Sequence, residues 1–321
     1  MQQLVQSFPA DFPAAVFMVL HVPADTPSML PQILSRSGLL PAKHPRDREP
    51  IHPGNIYVAP ADRHLTIEDG MVRVRRGPRE NRHRPAIDPL FRTAARARGK
   101  NVIGVILSGH LDDGAAGLRA VRSRGGIAIV QDPAEAVARE MPESALRYSG
   151  ADYVLPVAKM GQKIVDLTCR RDVMSEAQSS TKEVSNGEEN LRVSTPSEGS
   201  GTPSVFACPE CNGVLWEFKH GELVHFRCRV GHAYTMANLA EEQVYETEEA
   251  LWAAMRALEE KAALATRMAE SMTDSKTRQR FLEQAEADRD RATAIRKMLF
   301  ADDKEASSAD ELAASKHPTN L

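Results

Sequence analysis

Two sets of residues have types and spacings that could do chemistry. Cys208 and Cys211 in "CPEC" lie three apart, Cys228 and His232 in "CRVGH" lie four apart, and sixteen residues separate the two pairs. Thiolate and imidazole are zinc ligands, and two ligands on each of two tight knuckles can close a tetrahedron. Pro209 and Gly231 favour the turns this needs. With all four positions filled by protein the metal would be structural, stabilising a segment too short for its own core. The bland alternative is unpaired thiols in a loop. Cys169 stands apart and reads as a free thiol. The second set is His21, which follows the apolar run Ala14–Leu20, and Asp113, in the glycine-rich stretch "LSGHLDDGAAGL" at 107–118. An imidazole can take the proton of a hydroxyl while a carboxylate fixes its tautomer and stabilises the imidazolium. Gly109 and Gly114, with His110 between them, would let the backbone approach a substrate closely, and a nearby N–H could stabilise an oxyanion. Each residue taken singly has a plainer reading: a packed or solvent-edge histidine, and an Asp-Asp-Gly turn before a helix.

Positioning His21 and Asp113 together requires particular elements. Residues 14–157 alternate strand and helix signals. Ala14–Leu20, Asn55–Ala59, Val102–Ser108, Gly126–Gln131 and Tyr153–Leu155 read as short apolar strands. Met29–Ser37, Asp88–Arg98, Ala115–Arg124 and Pro142–Ser149 read as helices, and Thr66–Arg75 as a hairpin around Asp69-Gly70. This alternation predicts an α/β domain, a doubly wound and mainly parallel sheet covered on both faces. His21 and Asp113 then both fall at carboxyl ends of strands, where ligands of such sheets bind.

Beyond this domain, assigned to residues 1–170, the composition changes. Residues 171–204 are rich in Ser, Thr, Glu, Gly and Pro and read as a disordered linker. Residues 205–234 hold the Cys3His module. Residues 235–300 read as a helical hairpin or coiled coil. Val244, Leu251, Met255, Leu258, Ala262 and Ala265 form one apolar seam, Phe281, Ala285, Ala292, Ile295 and Leu299 the other, and Thr273-Asp274-Ser275 is the turn between them. Both seams are narrow and flanked by charge, which predicts a helical partner or a second copy of the chain. Residues 301–321 read as a disordered tail.

Five stretches in order and spacing carry a resemblance: "PADFPAAVFMVLHVP", "PGNIYVAPADRHL", "NRHRPAIDPLFRTAA", "GVILSGHLDDGAAGLRAVRSRGG" and "AIVQDPAEAVAREMPESAL". Residues 10–157 resemble the catalytic domain of the chemotaxis protein-glutamate methylesterases, the CheB type. The resemblance implies hydrolysis of glutamate methyl esters on methyl-accepting chemotaxis receptors, with His21 as general base, Asp113 as orienting acid and no cofactor for catalysis. Where the family commonly has Gly-Met-Gly, this chain has Gly109-His110-Leu111, a departure at the expected oxyanion region. The family begins with a strand and a Gly-Ala-Ser-x-Gly-Gly turn that supplies the nucleophilic serine, then a helix matching Gln2–Phe8. Strand, turn and serine do not occur in this sequence; roughly 20 residues would restore them. Ser7, Ser28 and Ser108 are poor substitutes, because none lies in a Gly-flanked strand-to-helix turn. Two expectations follow: a start set too far downstream, or an inactive receptor-binding adaptor. The "CPEC…CRVGH" segment and the helices after it also fit extensions of some methylesterase-like proteins.

The totals narrow the remaining classes. Among 321 residues the formal net charge is −3, with 42% hydrophobic and 26% charged residues. That balance argues against whole-protein nucleic-acid affinity. The local run "RVRRGPRENRHR" at 73–84 carries six arginines without interleaved aromatics. It reads as a solvated loop or as a surface docking an acidic receptor bundle, rather than a base-stacking site. No apolar stretch approaches the ~18 residues of a membrane span, and no signal peptide is present, so the chain is read as cytoplasmic and not membrane-inserted.

Overall fold

Strand and helix alternate through the first 176 residues of the computed structural model, which describes residues 1–25, 28–176, 201–220 and 223–300. The elements are α1 (Gln2–Val5), β1 (Val16–Met18), α2 (Leu30–Ser37), β2 (Ala42–Lys43), β3 (Glu49–Pro50), β4 (Ile56–Val58), β5 (His64–Glu68), β6 (Met71–Arg75), α3 (Ile87–Arg98), β7 (Ile103–Ile106), α4 (Ala115–Ser123), β8 (Ile127–Gln131), α5 (Glu140–Tyr148), β9 (Tyr153–Leu155) and α6 (Val157–Glu176). β4 pairs in parallel with β1 and β2, and β8 in parallel with β7 and β9. β5, β6 and β3 form an antiparallel ribbon, its hairpin turning at Asp69-Gly70 as expected.

Side chains alternate across β4 and β8, as the two-residue strand period requires. Ile56, Val58 and Ile129 pack with Leu4 and Val5 of α1, Phe8 just beyond it, Leu34 of α2, and Met160 and Ile164 of α6. Tyr57 points the other way, into a cluster with Leu65, Val72, Leu90 and Ala94. Ala128 and Val130 likewise face Leu118, Met141 and Ala145 of α4 and α5. Helices therefore cover both faces, and the apolar runs Ile56–Val58 and Ile127–Gln131 mark central strands buried on both sides. The parallel sheet differs from expectation in one respect. It consists of two three-stranded pieces, ordered β1-β4-β2 and β7-β8-β9. Among the described residues, β1 and β7 are each paired on one side only.

α6 continues to Glu176 and the next strand starts at Thr202, so structure reaches into both ends of the predicted linker; the remainder of that linker, and the tail after residue 300, lie outside the described residues. β10 (Thr202–Ala207), β11 (Val214–His220), β12 (Leu223–Cys228) and β13 (Ala233–Thr235) form an antiparallel sheet in that order. Leu215, Phe226, Tyr234 and Leu239 pack around Cys208 and Cys228. The predicted boundary between α/β domain and Cys3His module is not a boundary between units. Met1–Leu239 is one compact unit, and Ala240–Leu321 a second.

The second unit is an antiparallel pair formed by α7 (Met236–Ser271), from residue 240 onward, and α8 (Ser275–Leu299). Asp274 caps α8, its side chain accepting from the Thr277 N–H at 2.8 Å. Ala262, Ala265, Phe281 and Ala285 meet in the seam. Buried Asp288 takes a place there too, ion-paired with Lys261 at 3.1 Å and Arg291 at 2.8 Å. Val244, expected in the seam, is 66% exposed. No helix among the described residues is long and apolar enough to cross a membrane.

Candidate active site and metal centre

His21 lies three residues past β1, and Asp113 lies in the turn between β7 and α4. Their side chains meet: His21 Nε2 is 2.8 Å from Asp113 Oδ2. Asp113 is 2% exposed and His21 23%. The position of Asp113 follows from helix ends, whose first N–H groups have no intrahelical acceptor. α3 begins at Ile87 with no side-chain cap of its own. Asp113 supplies it from across the domain, accepting from the Ile87 N–H at 2.7 Å and the Asp88 N–H at 3.3 Å. Asp88 returns the contact, its Oδ1 accepting from the Gly117 N–H in the first turn of α4 at 2.6 Å. Asn81 joins the two carboxyl groups, its Nδ2 donating to Asp113 Oδ1 at 2.9 Å and to Asp88 Oδ2 at 3.0 Å.

These contacts divide the charge. Burial pushes the Asp113 carboxyl up, but His21 and the donors from Ile87 and Asn81 outweigh it, so it lies below the ordinary carboxylate range. Burial and the neighbouring Asp113 charge push Asp88 up to about 7. The imidazole is thus held by an ionised acceptor, as a general base requires. On its other side the His83 ring stacks on His21 with centroids 3.7 Å apart. Burial, followed by the nearby His21, pushes His83 down to about 4. A neutral ring therefore covers His21 near neutral pH.

Asn81, His83 and Asp88 are site residues to which the sequence assigned no individual role. The only signal was their place in "NRHRPAIDPLF". The run 73–84 is also less solvated than expected. Arg73 pairs with Asp47 and Glu68, Arg84 and Arg76 with Asp62, and Arg79 with Glu210.

The predicted oxyanion region is placed differently from His21 and Asp113. The Gly109 N–H donates to the Ala138 carbonyl at 3.1 Å, and the Gly109 carbonyl accepts from the Met141 N–H at 3.0 Å. A Cβ at Gly109 would sit 2.1 Å from Met141 Sδ, so this glycine admits Met141 and its N–H is already spent. His110 is 82% exposed, 3.6 Å from Glu140. Gly114, at φ +93°, begins α4 where a Cβ would strike Ile106 and Ile87. No serine among the described residues hydrogen-bonds to His21. Ser28 and Ser108 accept from the Leu30 and Ala138 N–H groups, and Ser7 packs against Gly161.

The four Cys3His atoms lie within 4.8 Å of one another. Cys208 Sγ and Cys228 Sγ are 3.6 and 3.5 Å from His232 Nδ1, and Cys211 Sγ is 3.6 Å from Cys228 Sγ. Tetrahedral zinc with ordinary Zn–S and Zn–N bonds sets ligand atoms about 3.5–3.8 Å apart. The donor set fits zinc in chemistry, and the three pairs at 3.5–3.6 Å fit it in spacing. Burial pushes the Cys208 thiol up to about 12, so a thiolate there needs a cation beside it.

A parallel α/β domain that joins an imidazole to an ionised carboxylate beyond its strand ends shares the geometry of the class of proteins built around a proton relay. The comparison with known proteins narrows this class. Residues 1–164 match the family model described as CheB methylesterase, and the chain belongs to that family. It is similar to a protein-glutamate methylesterase/protein-glutamine glutaminase of Hydrogenovibrio crunogenus, 36% identical over 170 residues, covering 52% of this chain and 45% of the relative. A similarly named protein of Geobacter metallireducens is 35% identical over 167 residues, covering 51% and 47%. The chain spans about half the length of the curated relatives it matches. The crystal structure of the Thermotoga maritima CheB methylesterase catalytic domain is similar at 33% identity and TM-score 0.50, covering 52% of this chain and 90% of that one.

Proposed function

We propose that the α/β domain is a protein-glutamate methylesterase acting on methyl-accepting chemotaxis receptors in the cytoplasm. The observation that carries this is the 2.8 Å contact between His21 and Asp113 beyond the carboxyl ends of β1 and β7. Asp113 holds Nε2, which leaves Nδ1 to receive the proton of an attacking alcohol. The alcohol oxygen adds to the ester carbonyl, methanol departs with a proton returned by His21, and water then releases the glutamate by the same relay in reverse. The relatives' names include a protein-glutamine glutaminase; the same relay applied to a side-chain amide would release ammonia instead. We place the alcohol on a serine carried by a strand and turn that would pair with the open edges of β1 and β7.

The test measures methanol released from a methylated receptor signalling domain. Two proteins are compared: the 321-residue chain, and the same chain preceded by the product of its in-frame upstream codons. The extended protein should release methanol, and His21→Gln should reduce the rate on the order of 10²–10⁴-fold, the contribution of a positioned general base. Stop codons directly upstream, or an extended protein that releases no methanol, would sink the esterase reading and leave the receptor-binding adaptor; methanol release indifferent to His21→Gln would remove His21 from the chemistry.

Cys208, Cys211, Cys228 and His232 would hold one structural zinc. The cation supplies charge for the thiolates and a cross-link between two knuckles; no catalytic step uses it. The helical hairpin, through residues 235–300, would pair with a helical partner or a second copy.

A further inference from the structure

We propose that the Cys3His knuckle is a metal-dependent clamp on the catalytic carboxylate, acting on Asp113 through Ala233 and Asn81. The inference rests on the zinc reading above and extends it to the proton relay.

The contacts between the knuckle sheet and the α/β domain cluster beside the metal ligands. Ala233 follows His232, and its carbonyl accepts the Asn81 N–H at 2.8 Å while its own N–H donates to the Arg79 carbonyl at 3.3 Å. Residues 79–81 thus run along β13 like an added strand. Arg227 precedes Cys228 and lies 3.7 Å from Glu80, which Arg92 also holds. Glu210, between Cys208 and Cys211, pairs with Arg79 at 3.0 Å.

On the receiving side the same residues reach the relay. The Asn81 side chain donates to Asp113, and His83, two residues on, stacks over His21. A second attachment lies next to the carboxylate itself. Asp112 is buried, and its Oδ1 accepts from Thr235 Oγ1 at 2.8 Å and from Asn238 Nδ2.

The loop needs such holding. Asn81 and Arg82 sit at φ +50° and +68°, left-handed conformations that a chain leaves when nothing fixes them. The knuckle in turn needs its metal, because Cys208 and Cys228 are two of the six buried residues of its core. Asn81 is therefore a positioning residue: it touches Asp113, and its backbone is pinned by the residue after a ligand.

The test uses the full chain loaded with zinc, with metal content measured per chain. The readout is the ¹⁵N shift pattern of the His21 ring, assigned by its loss in His21→Gln. A ring locked onto Asp113 shows a single tautomer. Stripping the zinc with a chelator should turn this into a mixture, and zinc added back should restore it. Asn81→Ala, still holding zinc, should show the mixture too, as should Thr235→Val with Asn238→Leu, which undocks the sheet. Methyl signals of Ile129 and Val130 report whether the α/β core stays folded.

A chain that takes up no zinc overturns the zinc reading and the clamp with it. A chain that takes up one zinc yet keeps a single tautomer after stripping overturns the clamp alone. If stripping also collapses the core signals, zinc-loaded Asn81→Ala decides, and a retained single tautomer overturns the proposal.

Discussion

Asp112 and Asp113 are neighbours in sequence and both buried, yet their surroundings set them apart. Asp113 gathers a histidine, two helix N–H groups and an amide, which keep it ionised. For Asp112, burial outweighs the hydrogen bonds from Thr235 and Asn238 and pushes the carboxyl up to about 6. Between roughly pH 4 and 6 the folded chain then holds a proton there that the unfolded chain has lost. This contribution favours folding at low pH and is lost as pH rises through 6. Asp112→Asn keeps the acceptor oxygen and removes the ionisation. Its stability relative to the parent should rise from pH 4 to pH 8 by up to about 3 kcal/mol, read from urea midpoints at both pH values. His83 works in the opposite sense. Held down to about 4, it favours folding above its unfolded value of 6.5, and that contribution fades as pH falls toward 4. Against the same background of His83 and Asp88 titration, the Asp112→Asn protein should lose more, or gain less, stability than its parent as pH falls from 8 to 4. A parallel pair of curves would show that Asp112 ionises normally.

The reciprocal capping of α3 and α4 explains why these two helices lie so close. Gly117 makes this possible: a Cβ there would stand 2.6 Å from Phe91 Cβ and 3.1 Å from the Asp88 backbone. Gly117→Ala gains about 1 kcal/mol of helix propensity but overpacks the contact, which typically costs about 1–3 kcal/mol. Because Asp88 bonds the Gly117 N–H and shares Asn81 with Asp113, the separation should disturb the relay as well. The expected result is a lower urea midpoint together with slower ester turnover in the extended protein; a variant as stable and as fast as its parent would mean the contact is slack. The helices themselves were readable from their 3.6-residue apolar spacing, and β4 and β8 from continuous apolar runs. The meeting of His21 and Asp113 followed from strand-end topology and the family resemblance. The cap was not readable, since Asp113 serves a helix whose first residue lies 26 positions earlier in the chain. Local sequence records caps only from the preceding residues. Asn81 and His83 were masked by the arginines around them, which suggested a solvated loop. Gly109 looked like room for a substrate and proved to be room for Met141. Sequence also could not show that β1 and β7 stand as outer strands of separate pieces, because pairing partners are a property of the assembled sheet.

At the scale of the whole chain, composition and structure divide the protein at different places. The polar stretch after residue 170 marks a change in sequence character, but the first compact unit runs on to Leu239. The segment beyond residue 201 returns to the α/β domain through polar contacts: Asn81 to Ala233, Glu80 to Arg227, Arg79 to Glu210, and Asp112 to Thr235 and Asn238. Two of these are ion pairs with partly exposed partners, and such pairs are individually worth about 0–1 kcal/mol and weaken with salt. The Asp112 attachment is different, because Thr235 and Asn238 are buried and leaving Asp112 unpartnered there carries a desolvation penalty of about 1–3 kcal/mol. A cut in the connecting stretch should therefore leave the pieces together. With a specific protease site placed between residues 176 and 202, the two fragments should co-elute in size exclusion after cleavage, and should still do so at 0.5 M salt, a roughly 4 Å Debye length. Thr235→Val with Asn238→Leu should release them. Fragments that separate on cleavage in the unsubstituted protein, even at low salt, would mean that the connecting stretch and not the buried polar contacts holds the first unit together.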